Sequence, residues 1–197
     1  MVFTLSEGSE SVRFECQQCG ACCRNSDLVI TLNGVDVVRI ADALSLGVND
    51  MLRVVDFLLL GEGVRRPKGL EGTPAIATER GLAFLALRKL KNGHCVFLED
   101  DLCMIHPARP SVCRSFPFVF RRDEKSTYWG LSAKKEICPG LGEGPEVSES
   151  ELSVLANEIL DSMDSYREFA SEWNAGEAYP TAARLLSAII SDSRFAV

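Results

Sequence analysis

Apolar positions along the chain change period several times, and each change marks an element. Asp27-Leu28-Val29-Ile30-Thr31-Leu32 is a short, nearly continuous apolar run and predicts a strand. Asn33 follows as a helix cap, with Asp36 in the first turn near the positive end of the helix dipole. Val37, Val38, Ile40, Ala41 and Leu44 then recur at helical spacing, and Gly47 is the expected stop. A second helix is expected from Asn49, with Met51, Leu52, Val55, Leu58 and Leu59 on its apolar side. Gly61 through Gly72 has loop composition.

From Ala75 to Met104 the pattern shortens to β-like segments, although Leu82–Leu90 fits strand or helix equally. Asn92-Gly93 signals a tight turn into Cys95-Val96-Phe97-Leu98, and Glu99-Asp100-Asp101 turns the chain back to Cys103. Such a hairpin brings Cys95 and Cys103 together. Pro107, Pro110 and Pro117 leave room for about one helical turn near Ser111–Arg114. In the tail, Ser148-Glu149-Ser150-Glu151 reads as a capping box. Leu152, Leu155, Ile159, Met163, Tyr166, Phe169 and Trp173 then form a helical stripe, and a last helix is expected from Pro180 or Thr181 to Ile190.

These elements predict an α+β fold, mostly helical, with a small turn-rich β core organised around a cysteine metal cluster. The expected division is a cysteine-bearing domain over residues 1–142 and a helical extension over 143–197 packed on it. With 197 residues, 46% hydrophobic and 25% charged, the chain can build a core without covalent staples. The beginning, MVFTLSEGSE, lacks the basic and apolar regions of a secretory signal, and the apolar run at Val54–Leu60 is too short for a membrane span and carries Asp56. The expectation is a cytoplasmic protein that does not enter a membrane.

Net charge is −7, which disfavours nucleic acid as a partner. The charge is uneven. Arg109 to Lys135 holds seven cations against two carboxylates, and Leu141 to Val197 holds eleven carboxylates against three arginines. The acidic tail reads as a solvated helix face. The basic stretch matters more because it surrounds cysteines, whose thiolates nearby cations stabilise. Arg109 and Arg114 flank Cys113 and are the candidates for offsetting a cofactor's charge, with pairing to helix carboxylates as the alternative for arginine.

All eight cysteines fit one formula: Cys16-x2-Cys19-x2-Cys22-Cys23, then Cys95-x7-Cys103-x9-Cys113-x24-Cys138. In a reducing compartment such clustering points to metal or redox chemistry rather than static disulfides. Two residues between thiols let one turn aim both at the same ion, and Gly20 relaxes the loop between them. Adjacent Cys22 and Cys23 are expected to serve two centres, or one ligates while the other packs. Eight thiolates suffice for two four-coordinate sites or for one cluster with thiols to spare. Zinc sites commonly pair two C-x-x-C knuckles, and a second knuckle is missing here. A C-x2-C-x2-C run with a distant Cys138-Pro139 matches the three-plus-one ligation of a cubane cluster and favours iron–sulfur over zinc. His94 and His106 lie beside cysteines and are lesser candidate ligands, His106 ahead. No P-loop, dinucleotide fingerprint or hydrolytic triad accompanies them.

These residues resemble the YkgJ-type CxxCxxCC family of bacterial and archaeal proteins, described as zinc- or iron-chelating domains and often labelled iron–sulfur cluster proteins. The resemblance runs through ECQQCGACC, Cys95-Val96-Phe97-Leu98, Cys103-Met104-Ile105-His106, Arg109-Pro110-Ser111-Val112-Cys113-Arg114-Ser115-Phe116-Pro117 and Cys138-Pro139-Gly140. It covers roughly residues 15 to 142 and excludes the helical tail. The family often has tyrosine where this chain has His106, which argues against His106 as an obligatory ligand. The resemblance implies metal binding and supplies no agreed reaction; the Cys138-Pro139 ligand and the basic surroundings of the cysteines lead to the expectation of an iron–sulfur cluster or zinc used for redox or cofactor-dependent chemistry, with a redox or protein partner. Two alternatives stay open: a structural zinc module presenting a protein-binding surface, and a relative of flagellin lysine methylases, for which no S-adenosylmethionine fingerprint is visible.

Overall fold

The computed structural model describes residues 12–61, 69–70, 72–124 and 126–197. The expected loop at 61–72 falls largely outside these residues. Helix takes 40% of the described residues and strand 23%, the strands lying in small sheets, so the fold is α+β.

Helix α2 (Gly34–Leu44) follows a four-residue helix, α1 (Ala21–Arg24), and begins where the sequence predicts. The Asn33 side chain accepts from Asp36 N–H at 2.9 Å, and the Asp36 carboxylate accepts from Asn33 N–H at 3.2 Å, closing a reciprocal cap. The other end differs from expectation. Ser45 takes the left-handed cap conformation, φ 53°, and Leu46 N–H returns to Ala41 C=O at 2.8 Å. Gly47 instead precedes α3 (Val48–Val54), and Asn49 lies inside that helix.

The expected helix through Leu59 stops at Val54. Val55–Leu59 is a strand, β2, paired antiparallel with β4 (Gly81–Leu87) from Val55↔Leu87 to Leu59↔Ala83. Consecutive Val54 and Val55 and the apolar run after them suit a pleated surface, and an available partner strand outweighs weak helical propensity. β3 (Ile76–Thr78) pairs with the other edge of β4, giving the order β2-β4-β3. The run at 27–32 forms no strand of its own. It makes one bridge, Thr31↔Ala86, flanked by Leu32 N–H to Leu85 C=O and Leu87 N–H to Ile30 C=O. Ala83 to Leu87 is buried throughout, which settles the ambiguous Leu82–Leu90 segment as a central strand up to Leu87.

The tail helix α5 (Glu149–Gly176), reached through five further strands and the short helix α4 described below, carries the expected Ser148/Glu151 cap. Tyr166, Phe169 and Trp173 are buried from its stripe, and Phe169 meets Phe195 edge-on with ring centres 5.3 Å apart. Trp173 Nε1–H donates to Ala77 C=O at 3.0 Å, and Asn174 accepts from Ala77 N–H at 2.7 Å, fastening α5 to β3. Helix α6 (Ala182–Ser191), capped by Thr181, inserts Leu185, Leu186 and Ile189 against α2 and α3. One hydrophobic core therefore joins α2, the β2-β4-β3 sheet, α5 and α6.

Candidate metal centre

The first cysteines sit between β1 (Arg13–Phe14) and α1. β1 pairs with β9 (Leu141–Glu146), and Glu15 N–H donates to Gly140 C=O at 3.2 Å. This pairing brings the stretch after Glu15 beside Cys138-Pro139-Gly140. Gly140 must be glycine for steric reasons: a Cβ there would strike the Glu15 carbonyl. Gly20, at φ 66°, starts α1 in the left-handed region, and a Cβ on it would meet the Asp101 carbonyl. Cys22 and Cys23 follow inside α1. Arg24 pairs with Asp101 and donates to Cys19 C=O at 2.8 Å, so the loop is fastened to the turn at Asp100-Asp101.

That turn joins β5 (Leu98–Glu99) to β6 (Leu102–Cys103), with Asp100 and Asp101 both at positive φ, as the expected hairpin requires. Cys103 pairs with Leu98 across it. Cys95 lies at the hairpin's other end, where its N–H donates to Cys23 C=O at 2.8 Å. Cys113 rides on α4 (Ser111–Ser115), the expected single turn of helix. Its placement depends on Asp36, a residue whose sequence context shows only a helix first turn. The Asp36 carboxylate is buried and accepts from Ser111 N–H at 2.8 Å and Ser111 Oγ–H at 2.7 Å, pinning α4 to α2. Burial raises the Asp36 pKa, against the pull of these hydrogen bonds.

After α4, the hairpin β7 (Phe118–Arg122) and β8 (Thr127–Leu131) is an element the apolar pattern did not flag. Phe118 stands between Phe14 and Trp129 in edge-on contacts, with ring centres 5.5 and 5.8 Å away, and so ties β1 to this hairpin. The short aromatic runs around Asp123-Glu124 were the available signal.

All eight thiols are free: Cys95 is buried, Cys16 and Cys19 are exposed, and the rest are half-buried. Cys23 hydrogen-bonds through its side chain to both Cys103 and Cys22. Those contacts hold Cys22 and Cys103 down to about 6 and push Cys23 far up, as expected when one S–H is shared between two thiolates. Burial raises Cys95, Cys113 and Cys138. Arg109 Nη1 lies 3.9 Å from Cys16 Sγ, and its charge also favours the thiolates of Cys22 and Cys103. Arg114 is engaged elsewhere, in a two-pronged pair with Glu158 of α5. His106 contacts Arg109, and burial, with that cation second, lowers its pKa.

Among the described residues, no three His, Cys, Asp or Glu side chains stand as a finished cage for one ion. The donor set nevertheless suits a thiophilic metal, because soft, reduced sulfur selects zinc and iron–sulfur centres. Among those residues no helix is long and apolar enough to cross a membrane. Searches of curated proteins and of solved structures give no match. A family model does match over residues 15–139, the span that delivers all eight thiols, and its description is "CxxCxxCC: Putative zinc- or iron-chelating domain". With that match over more than half its length, this chain belongs to the CxxCxxCC family.

Proposed function

We propose that the chain holds an iron–sulfur cluster, with zinc as the competing occupant, on thiolates drawn from its eight cysteines, and that it works in redox or cofactor-dependent chemistry. The observation that carries this reading is convergence. Free cysteines from separate stretches meet at Cys23, whose side chain hydrogen-bonds Cys22 and Cys103 and whose carbonyl accepts from Cys95 N–H at 2.8 Å. Cys138-Pro139 after the Cys16-Cys19-Cys22 run supports iron–sulfur over zinc. A bound cluster supplies one-electron chemistry at a potential tuned by hydrogen bonds and solvent access. The chain's own residues set those conditions. Arg109 offsets thiolate charge, buried Cys95 limits water, and the Asp36–Ser111 contact holds α4 in place. A reducing, cytoplasmic setting belongs to this reading, since free thiols persist there.

A structural zinc module is the second reading. Leu102 and Met104, 54% and 59% exposed on either side of Cys103, favour it, because apolar side chains on a metal-ordered hairpin suit a protein partner. Purification without oxygen, followed by iron, sulfide and zinc analysis and a visible spectrum, separates the two. Stoichiometric iron and sulfide with colour that bleaches under dithionite are expected. A colourless protein with stoichiometric zinc, destabilised by chelators, would favour the second reading. If neither metal is retained and all eight thiols titrate freely, the metal reading fails.

A further inference from the structure

We infer that the eight thiols make two four-sulfur sites, Cys16, Cys19, Cys22 and Cys138 in one and Cys23, Cys95, Cys103 and Cys113 in the other, divided between adjacent Cys22 and Cys23. The inference rests on the metal-binding reading and adds the number of centres and the assignment of each ligand.

Backbone connections define the two neighbourhoods. Glu15 N–H donates to Gly140 C=O at 3.2 Å, so the chain enters Cys16 where it has just left Cys138. Cys138 accordingly feels the charges of Cys22, Cys16 and Cys19. On the other side, Cys95 N–H donates to Cys23 C=O at 2.8 Å, and the Cys23 side chain hydrogen-bonds Cys103. Cys113, held by the Asp36–Ser111 contact, packs against the same hydrophobic core as Cys95, Cys103 and Cys23. Cys22 is the thiol common to both neighbourhoods.

That shared position decides the partition. A tetrahedral thiolate site needs four ligands. Cys16, Cys19 and Cys138 supply three, and Cys23 packs on the hydrophobic core with Cys95, Cys103 and Cys113, which leaves Cys22 as the fourth. It is also the third member of the C-x2-C-x2-C run. Once Cys22 is taken, Cys23 is left to complete Cys95, Cys103 and Cys113, two of which it already touches through its carbonyl or sulfur. Arg109 reaches Cys16 of the first set, with Nη1 3.9 Å from its sulfur.

The test loads the full chain with zinc alone, and in a parallel anaerobic preparation with iron and sulfide, and counts centres by native mass spectrometry. Two centres are expected in the unmodified chain, and one each in Cys138→Ser and Cys103→Ser. Alkylation mapped by mass spectrometry should then expose the remaining thiols of the first set in Cys138→Ser and of the second in Cys103→Ser. Cys22→Ser and Cys23→Ser should likewise expose opposite sets. Should these variants misfold by circular dichroism, graded chelation of the unmodified protein gives the same map, with four thiols released together before the other four. A single centre leaving four or more thiols open to alkylation overturns the partition and leaves metal binding standing. Cys22→Ser and Cys23→Ser exposing the same thiols overturns it too. No bound zinc or iron at all overturns both.

Discussion

Cys23 shows how one side chain sets the chemistry of its neighbours. Its hydrogen bonds to Cys22 and Cys103 are the largest cause of their low pKa, and Arg109 is a smaller one. In the metal-free protein both thiols, near 6, are therefore mainly thiolate at neutral pH. Cys23→Ala removes the donor, so both values should climb back toward the ordinary thiol range, and Arg109→Ala should raise them less. Alkylation rate against pH, with peptide mapping, reads this directly; unchanged profiles in Cys23→Ala would contradict the shared proton. Asp36 acts at the same scale by position. Asp36→Ala strands the buried Ser111 and Asn33 donors and should cost on the order of 3 kcal/mol in urea unfolding. Ser111→Ala, which removes one hydroxyl, should cost about 1 kcal/mol. Equal losses in the two variants would mean that the carboxylate is not the anchor.

Among the elements, the β1–β9 pair has few residues but a long reach, because it joins residues 13–14 to 141–146 and so sets where Cys16 meets Cys138. Gly140→Ala would force a methyl group into the Glu15 backbone, which cannot yield as a flexible side chain would. The expected result is a loss of about 2 kcal/mol, in the usual range for overpacking, together with weaker zinc retention in a chelator competition. If stability and retention both match the unmodified protein, the strand pair does not position the cysteine loop. Helix α5 illustrates the opposite case. Its cap and its aromatic stripe are local, and its packing then follows from the stripe.

For the molecule as a whole, Cys95 belongs to the hydrophobic core and Cys23, Cys103 and Cys113 pack against it, yet that core does not depend on them alone. Tyr166, Phe169, Leu185, Leu186, Ile189 and Phe195 are buried between α2, α5 and α6. The short α1 buries no residue fully, and α1 and β5–β6 reach that core only through partly buried Cys23, Leu98 and Cys103. Removing metal should therefore loosen residues 13–26 and 95–138 first and leave α5 and α6 protected. Hydrogen exchange with and without a chelator measures this. A uniform loss of protection across α5 would show that the metal holds the entire fold, as it does in small zinc fingers.

Several features were legible in the sequence because their determinants are contiguous. The Asn33 and Ser148 caps, the tail stripe, the Asp100-Asp101 turn and the cysteine spacing each lie within a few turns of chain, where hydrogen-bonding and periodicity rules apply directly. Other features depended on partners far away. Val55–Leu59 became a strand because β4 offered an edge, and the run at 27–32 kept one bridge because β3 already occupies part of the same edge. Asp36 meets Ser111 across 75 positions, and Arg114 meets Glu158 across 44, distances over which no local pattern carries a signal. The same holds for the thiols. Their number and chemical kind were determined by the sequence alone, whereas which sulfur neighbours which was decided by backbone pairing between segments the chain keeps apart.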